Sequence, residues 1–139
     1  MSVFELAKAE VWINEIRREL GIDDEERAYL ALRSGLHALR DRLTVEEAAH
    51  LAAQLPMMIR GLFFEGWHPG GKRARLRSKE SFLEEIESEM PRGRLEATRV
   101  AHAVFRVLDK HVSQGQIDNV RHSLPRPIAE LWSPPVPLP

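Results

Sequence analysis

The chain has no cysteine in its 139 residues. That absence excludes disulfides, thiolate nucleophiles, iron-sulfur clusters and cysteine-ligated zinc, and it fits a reducing cytoplasm. No apolar run approaches the roughly 20 residues that a membrane-spanning helix needs. The opening MSVFELAKAEVW lacks the basic flank and unbroken apolar stretch of a secretion signal. The expectation is a cytoplasmic protein with no membrane partner. A large net charge is missing as well: the formal value is −1, so the body as a whole is not built to neutralise a nucleic-acid backbone. The punctuation of common catalytic sites is also absent. There is no Gly-x-Ser-x-Gly elbow and no His-Glu-x-x-His, and Gly70-Gly71-Lys72 has neither the spacing nor the preceding strand of a phosphate loop. No catalytic residue and no cofactor are expected, and a non-enzymatic role follows.

What is present is helical periodicity. Phe4, Ala7, Val11, Ile13, Ile16 and Leu20 recur mostly at steps of three and four, which predicts an amphipathic helix ended near Gly21. Asp23 with Glu26 predicts the cap of a second helix, whose stripe runs Ala28, Leu32, Leu36, Leu39, Leu43 and which should end around Arg42. Thr44 with Glu47 makes another capping box for a short helix through Leu51. Pro56 then forces a break before a further short helix over about 57 to 64. Ser78 should cap a helix carrying Phe82, Leu83, Ile86 and Met90, ended by Pro91 and Gly93. A long helix follows with Leu95, Val100, Val104, Phe105, Leu108 and Val112. Ser113 with Gln116 opens the next, Pro125 breaks it, and Ile128, Leu131 and Trp132 close the series. The tail SPPVPLP, residues 133–139, reads as polyproline-like or disordered.

Residues 28–63 lie over 97–132 without a gap. Only six of the 36 pairs are identical, yet two capping boxes, two Leu-Pro breaks and the terminal aromatics Phe63 and Trp132 fall at one offset. With one residue inserted, WINEI at 12–16 also meets FLEEI at 82–86. Two repeats are too few for a solenoid. The expectation is an all-α fold: a compact helical domain of about seven or eight helices, spanning 1–132, built from two similar halves at about 4–64 and 79–132. In that reading LAAQLP and VRHSLP are equivalent corners rather than a ligand motif.

Between the halves the periodicity stops. EGWHPGGKRARLRSK contains three glycines, one proline and five basic residues. Residues 60–79 carry 6 basic and 1 acidic side chain, against 7 and 11 before them and 7 and 9 after. The loop at 65–78 and its edge therefore concentrate the positive charge, and Trp67, Lys72, Arg73, Arg75, Arg77 and Lys79 form the candidate interaction surface. If the chain is extended, Arg73, Arg75 and Arg77 present three guanidinium groups on one side. Arginine grips phosphate or carboxylate bidentately, and an indole adds stacking or a cation–π contact. The structural alternative is that Trp67 and Leu76 clip the loop to the core, with its bases in solvent or paired to ESFLEEIESE at 80–89. The leading functional expectation is a protein-interaction or scaffolding domain that binds a protein partner or a second copy. Nucleic-acid binding through residues 72–79 is one alternative, and a small-molecule or metal site between the halves is another.

For metal, Glu47-x-x-His50 has the spacing that puts a carboxylate and an imidazole on one helical face. Its counterparts in the repeat are Gln116 and Asn119, no second Glu-x-x-His exists, and Glu47 already serves a cap. The remaining imidazoles at His37, His68, His102, His111 and His122 form no spaced cluster. No metal ligand is assigned.

ALRSGLHALRDRLTVEEAAHLAAQLPMMIRGLFFEGW, LRSKESFLEEI and VFRVLDKHVSQGQIDNVRHSLPRPIAELW together resemble the prokaryotic family known as domain of unknown function 2267 (DUF2267) over about residues 4–132. The HLAAQLP run at His50–Pro56, the Gly66-Trp67 loop and the Leu-Pro-x-x-Ile-x-x-Leu-Trp ending at Leu124–Trp132 carry the resemblance. It implies an all-helical fold, in agreement with the periodicity. It implies no activity and no catalytic residues.

Overall fold

The computed structural model describes residues 2–91 and 93–132, with the backbone alone for Lys72, Ala74 and Leu95. Eight α-helices follow one another among the described residues, with no strand: α1 (Val3–Leu20), α2 (Glu25–Arg40), α3 (Val45–Ala53), α4 (Met57–Phe64), α5 (Lys79–Glu89), α6 (Arg94–His111), α7 (Gln114–Ser123) and α8 (Arg126–Trp132). The tail at 133–139 lies outside the described residues.

Local chemistry sets most of the boundaries. Gly21 adopts φ 66° and donates to Arg18 O, while Ile22 donates to Arg17 O, which closes α1 in a left-handed turn that a glycine enters without a Cβ clash. That turn uses up residues 21 and 22, so the next helix starts one residue later than Asp23 would allow. Asp24 is the cap, accepting from Arg27 N at 3.2 Å. Thr44, Ser78 and Ser113 cap α3, α5 and α7 by accepting from the N–H three residues on. Pro56 sits immediately before α4 and Pro125 immediately before α8, where a missing N–H costs no helical hydrogen bond. The long helix α2 stops at Arg40, two residues before the expected end, because Asp41 and Arg42 continue as a turn.

The apolar stripe of α1 differs from expectation. Ala9, Trp12, Ile16 and Leu20 are buried, whereas Phe4 is 78% and Val11 45% exposed. The steps of three, four and four from Ala9 keep one face inward, and Trp12 anchors it. On α2 and the turn after it the stripe holds as read: Ala28, Leu32, Leu36, Leu39 and Leu43 are all buried.

α2 packs against α1, α4, α5 and α6, and α6 against α1, α2, α5, α7 and α8, so these two helices form the centre. An aromatic column fills one side of it. Phe105 of α6 stacks on Trp132 of α8 at 4.2 Å and on Phe82 of α5 at 6.1 Å. Helices as short as α8, with 7 residues, have little stability of their own, and burial of Ile128 and Trp132 holds it.

The elements recur at a spacing of 69. Shifting α2, α3 and α4 by that number gives 94–109, 114–122 and 126–133, against 94–111 for α6, 114–123 for α7 and 126–132 for α8. Three contacts join residues separated by the same spacing. Arg27 Nη2 donates to Glu96 at 2.7 Å, Gln116 Nε2 donates to Glu47 at 2.5 Å, and the backbone of Gly35 lies against the Val104 side chain.

Candidate functional site

The C-terminal half of α2 and the turn that follows it carry an unusual load of charge on a buried face. Ser34, His37, Arg40 and Arg42 are buried, and the basic side chains among them reach different oxygens. His37 Nε2 donates to Leu62 O at 2.8 Å. Arg40 Nη1 donates to Phe63 O at 2.9 Å and to Glu65 O at 2.7 Å, so these two side chains bond carbonyls at and just beyond the end of α4, of which Leu62 O also accepts from Glu65 N. Arg33 binds Glu65 at 2.7 Å and also Glu89, and Glu89 lies 3.1 Å from His37 Nδ1. Burial lowers the pKa of His37 and outweighs the Leu62 carbonyl, with Arg40 and Arg33 acting in the same direction as burial.

One turn further on, two carboxyl groups share a buried space. Arg42 is paired with Glu85 of α5, donates from Nε to Leu76 O at 3.1 Å, and lies 5.7 Å from the centre of the Phe82 ring. Asp41 is held by Arg40, with Nε to Oδ1 at 2.9 Å. Burial, with a hydrogen bond toward Asp41, pushes the Glu85 carboxyl up to about 7. For Asp41 burial works upward too, but the hydrogen bond from Glu85 and the Arg40 guanidinium outweigh it and hold its pKa below the ordinary value. The two acids therefore titrate as a pair, with the proton favouring Glu85 and the charge favouring Asp41.

The loop closes over this pair. Residues 72–75 form a 3-10 turn rather than the extended strand that would align Arg73, Arg75 and Arg77. The turn sends Arg73 inward, with Nη1 3.0 Å from Glu85 Oε2 and 3.6 Å from Asp41 Oδ2, and leaves Arg75, Arg77 and Lys79 exposed. The half-buried Trp67 packs on Phe64 at 5.3 Å between ring centres. Leu76 does not act as a clip through its side chain, which is exposed; its carbonyl does, through Arg42. Together the end of α2, the start of α3 and the loop enclose a cleft of about 510 Å³, walled by Leu43, Val45, Trp67 and His68 with Arg40, Asp41 and Arg73. Gly66 and Gly70 turn its rim at φ 69° and 73°, a region that a side chain would strain.

Of the six surface residues expected from sequence, the structure brings Trp67 and Arg73 into one cleft. Arg75, Arg77 and Lys79 stand outside it, and the side chain of Lys72 lies outside the described residues. Arg40, Asp41, Arg42 and Glu85 were missed. A signal existed: Glu85 falls between Phe82 and Ile86 on the inward face of α5, and a carboxyl there must find a partner. At Glu47 the carboxylate accepts from Gln116 instead of returning to the helix cap, and His50 is 4.0 Å away on the surface. No three His, Asp or Glu side chains converge as a metal-ligand set among the described residues. Nor is any described helix long and apolar enough to cross a membrane.

The chain belongs to the family described as uncharacterized conserved protein, DUF2267, which matches residues 9–131. No curated protein matches it.

Proposed function

We propose that this is a non-enzymatic protein-interaction domain of the cytoplasm, whose contact face is the loop between α4 and α5 and whose partner presents an acidic surface. The observation that carries the reading is a contrast within ten residues of chain. Arg73 is folded onto acids, while Arg75, Arg77 and Lys79 project into solvent with no ion pair among the described residues. Trp67 beside them offers a rigid aromatic surface at low entropic cost. The remaining positions of the chain support a frame: two halves, at about 4–64 and 79–132, exchanged about a line on which Gly35 meets Val104 and Glu47 meets Gln116.

Trp12 and Trp132 are buried, which leaves Trp67 as the indole that senses the loop. Its fluorescence can be titrated with a glutamate-rich peptide and, separately, with mixed-sequence DNA and RNA at low and physiological salt. The expected result is peptide binding that weakens with salt and is lost when Arg75, Arg77 and Lys79 are all changed to alanine. Preference for nucleic acid, with a steep salt dependence lost in the same variant, would replace this reading by a nucleic-acid one. Failure of every ligand to bind would sink both.

A further inference from the structure

Resting on that reading of the loop, we propose that the cleft between the end of α2 and the loop is a carboxylate-recognition pocket, in which Arg73 exchanges its internal acid, Glu85, for a carboxylate of the partner's acidic segment. Each of the two internal acids already has a buried base of its own: Arg42 for Glu85 and Arg40 for Asp41. Arg73 is the surplus cation. It is 55% exposed, against 4% for Glu85, and it reaches the cluster from the loop rather than from a helix.

Its hold is also imperfect. Arg73 Nη1 is at ion-pair distance from Glu85 Oε2, yet that buried oxygen receives no hydrogen bond, so the two groups face each other without alignment. A half-exposed guanidinium paired in this way gives up little when it changes partner, whereas a planar carboxylate arriving from the cleft can take two parallel N–H bonds. The walls fit that ligand. Leu43, Val45 and the Trp67 ring provide an apolar lining for the methylenes of a glutamate side chain, Asp41 on the floor is neutralised by Arg40, and Gly66, Gly70 and Gly71 put no side chain on their part of the rim.

The test is titration of the full chain with the glutamate-rich peptide, comparing wild type, Arg73→Ala, Arg73→Lys, Glu85→Gln and the triple variant at Arg75, Arg77 and Lys79. Arg73→Ala is expected to weaken binding roughly tenfold, the loss of one charge-assisted bidentate contact, with Arg73→Lys recovering part of it. At pH 8, above the value of about 7 at which Glu85 titrates, Glu85→Gln is expected to tighten binding, because the internal competitor has lost its charge. Peptide binding by Arg73→Ala equal to wild type, with binding still lost in the triple variant, would overturn the pocket and leave the interaction face standing. Weaker binding by a Glu85→Gln protein that melts cooperatively would overturn the exchange. No binding by wild type would defeat both proposals. Should Glu85→Gln fail to fold, the Arg73 pair decides.

Discussion

The corner at the end of α2 and the corner at the end of α6 are drawn to one plan and finished differently. Arg42, on α2's side, pairs with Glu85 and lies near the Phe82 ring. His111, 69 residues later, pairs with Glu15 at 2.7 Å and stacks on Trp12 at 4.7 Å. His37 faces Glu89, and 69 residues on Arg106 faces Glu19 at 3.4 Å. Even the contact to the last aromatic recurs with its polarity reversed: Arg40 donates to Phe63 O, whereas Trp132 Nε1 donates to Asp109. What differs is burial. The Arg42 and Glu85 side chains are 1% and 4% exposed, those of His111 and Glu15 28% and 15%. The loop between α4 and α5 makes that difference, by folding its 3-10 turn over the first corner. A peripheral ion pair becomes a buried cluster once the fourteen loop residues between Phe64 and Lys79 cover it, and at this corner burial pushes the Glu85 carboxyl up to about 7.

The comparison breaks most visibly at Arg42. Changing it to alanine takes from Glu85 its buried base, leaving the half-exposed Arg73 as its cation, and frees Leu76 O, which should cost about 3–5 kcal/mol in urea unfolding. His111→Ala removes a more exposed pair and a ring stack, and should cost about 1 kcal/mol. Equal losses at the two corners would show that burial is not what separates them.

A smaller effect is expected where the two central helices cross. A Cβ on Gly35 would lie 2.5 Å from Val104 Cγ2 and 3.1 Å from its Cβ, so α2 and α6 approach as closely as they do because position 35 has no side chain. Gly35→Ala should cost roughly 1–2 kcal/mol, the overpacking penalty less the gain in helix propensity. Val104→Ala makes room for it. The double variant should therefore be more stable than the two single losses predict, and simple additivity would show that the crossing does not depend on this contact.

How much of this was legible follows from how local each cause is. Gly21, Thr44, Pro56, Ser78, Ser113 and Pro125 act on their own neighbours, so the helix boundaries could be read along the chain. Asp23 and Asp24 could not be told apart as caps, because the choice depends on how much chain the Gly21 turn consumes. Phe4 and Val11 misled for a related reason: apolarity does not say which of two faces a neighbour covers, and Trp12 decided it. Composition alone marked the basic loop. That Arg73 would turn inward and Arg75 outward depends on a 3-10 turn and on acids supplied by α2 and α5, one of them at the far end of the loop. Charged residues at a helix end ordinarily read as solvated, so Arg40, Asp41 and Arg42 gave no warning of burial.

The finest test of the difference between the corners is pH. Glu85 titrates at about 7 in the fold against an ordinary value near 4.3, so the fold prefers it protonated. Its contribution to stability is complete below its unfolded value and is lost as pH rises through about 7. Asp41 has the opposite sign: its pKa is lowered, so its contribution is present above the unfolded value and is lost as pH falls through the lower folded one. Between the two, near pH 4–5, Asp41 is ionised, Glu85 carries the proton and Arg40, Arg42 and Arg73 face a single negative charge. Above pH 7 both acids are charged, and the stability that protonated Glu85 contributes is gone. Glu85→Gln keeps a donor toward Asp41 and cannot ionise. Its unfolding free energy, measured by urea at a series of pH values, should fall less than wild type's between pH 5 and 8. Parallel curves for the two proteins would mean that Glu85 is already ionised at pH 5, with Arg42 and Arg73 dominating its burial. The second corner supplies the control: Glu15→Gln, at the exposed counterpart with His111, should leave that part of the curve governed by Glu85 unchanged.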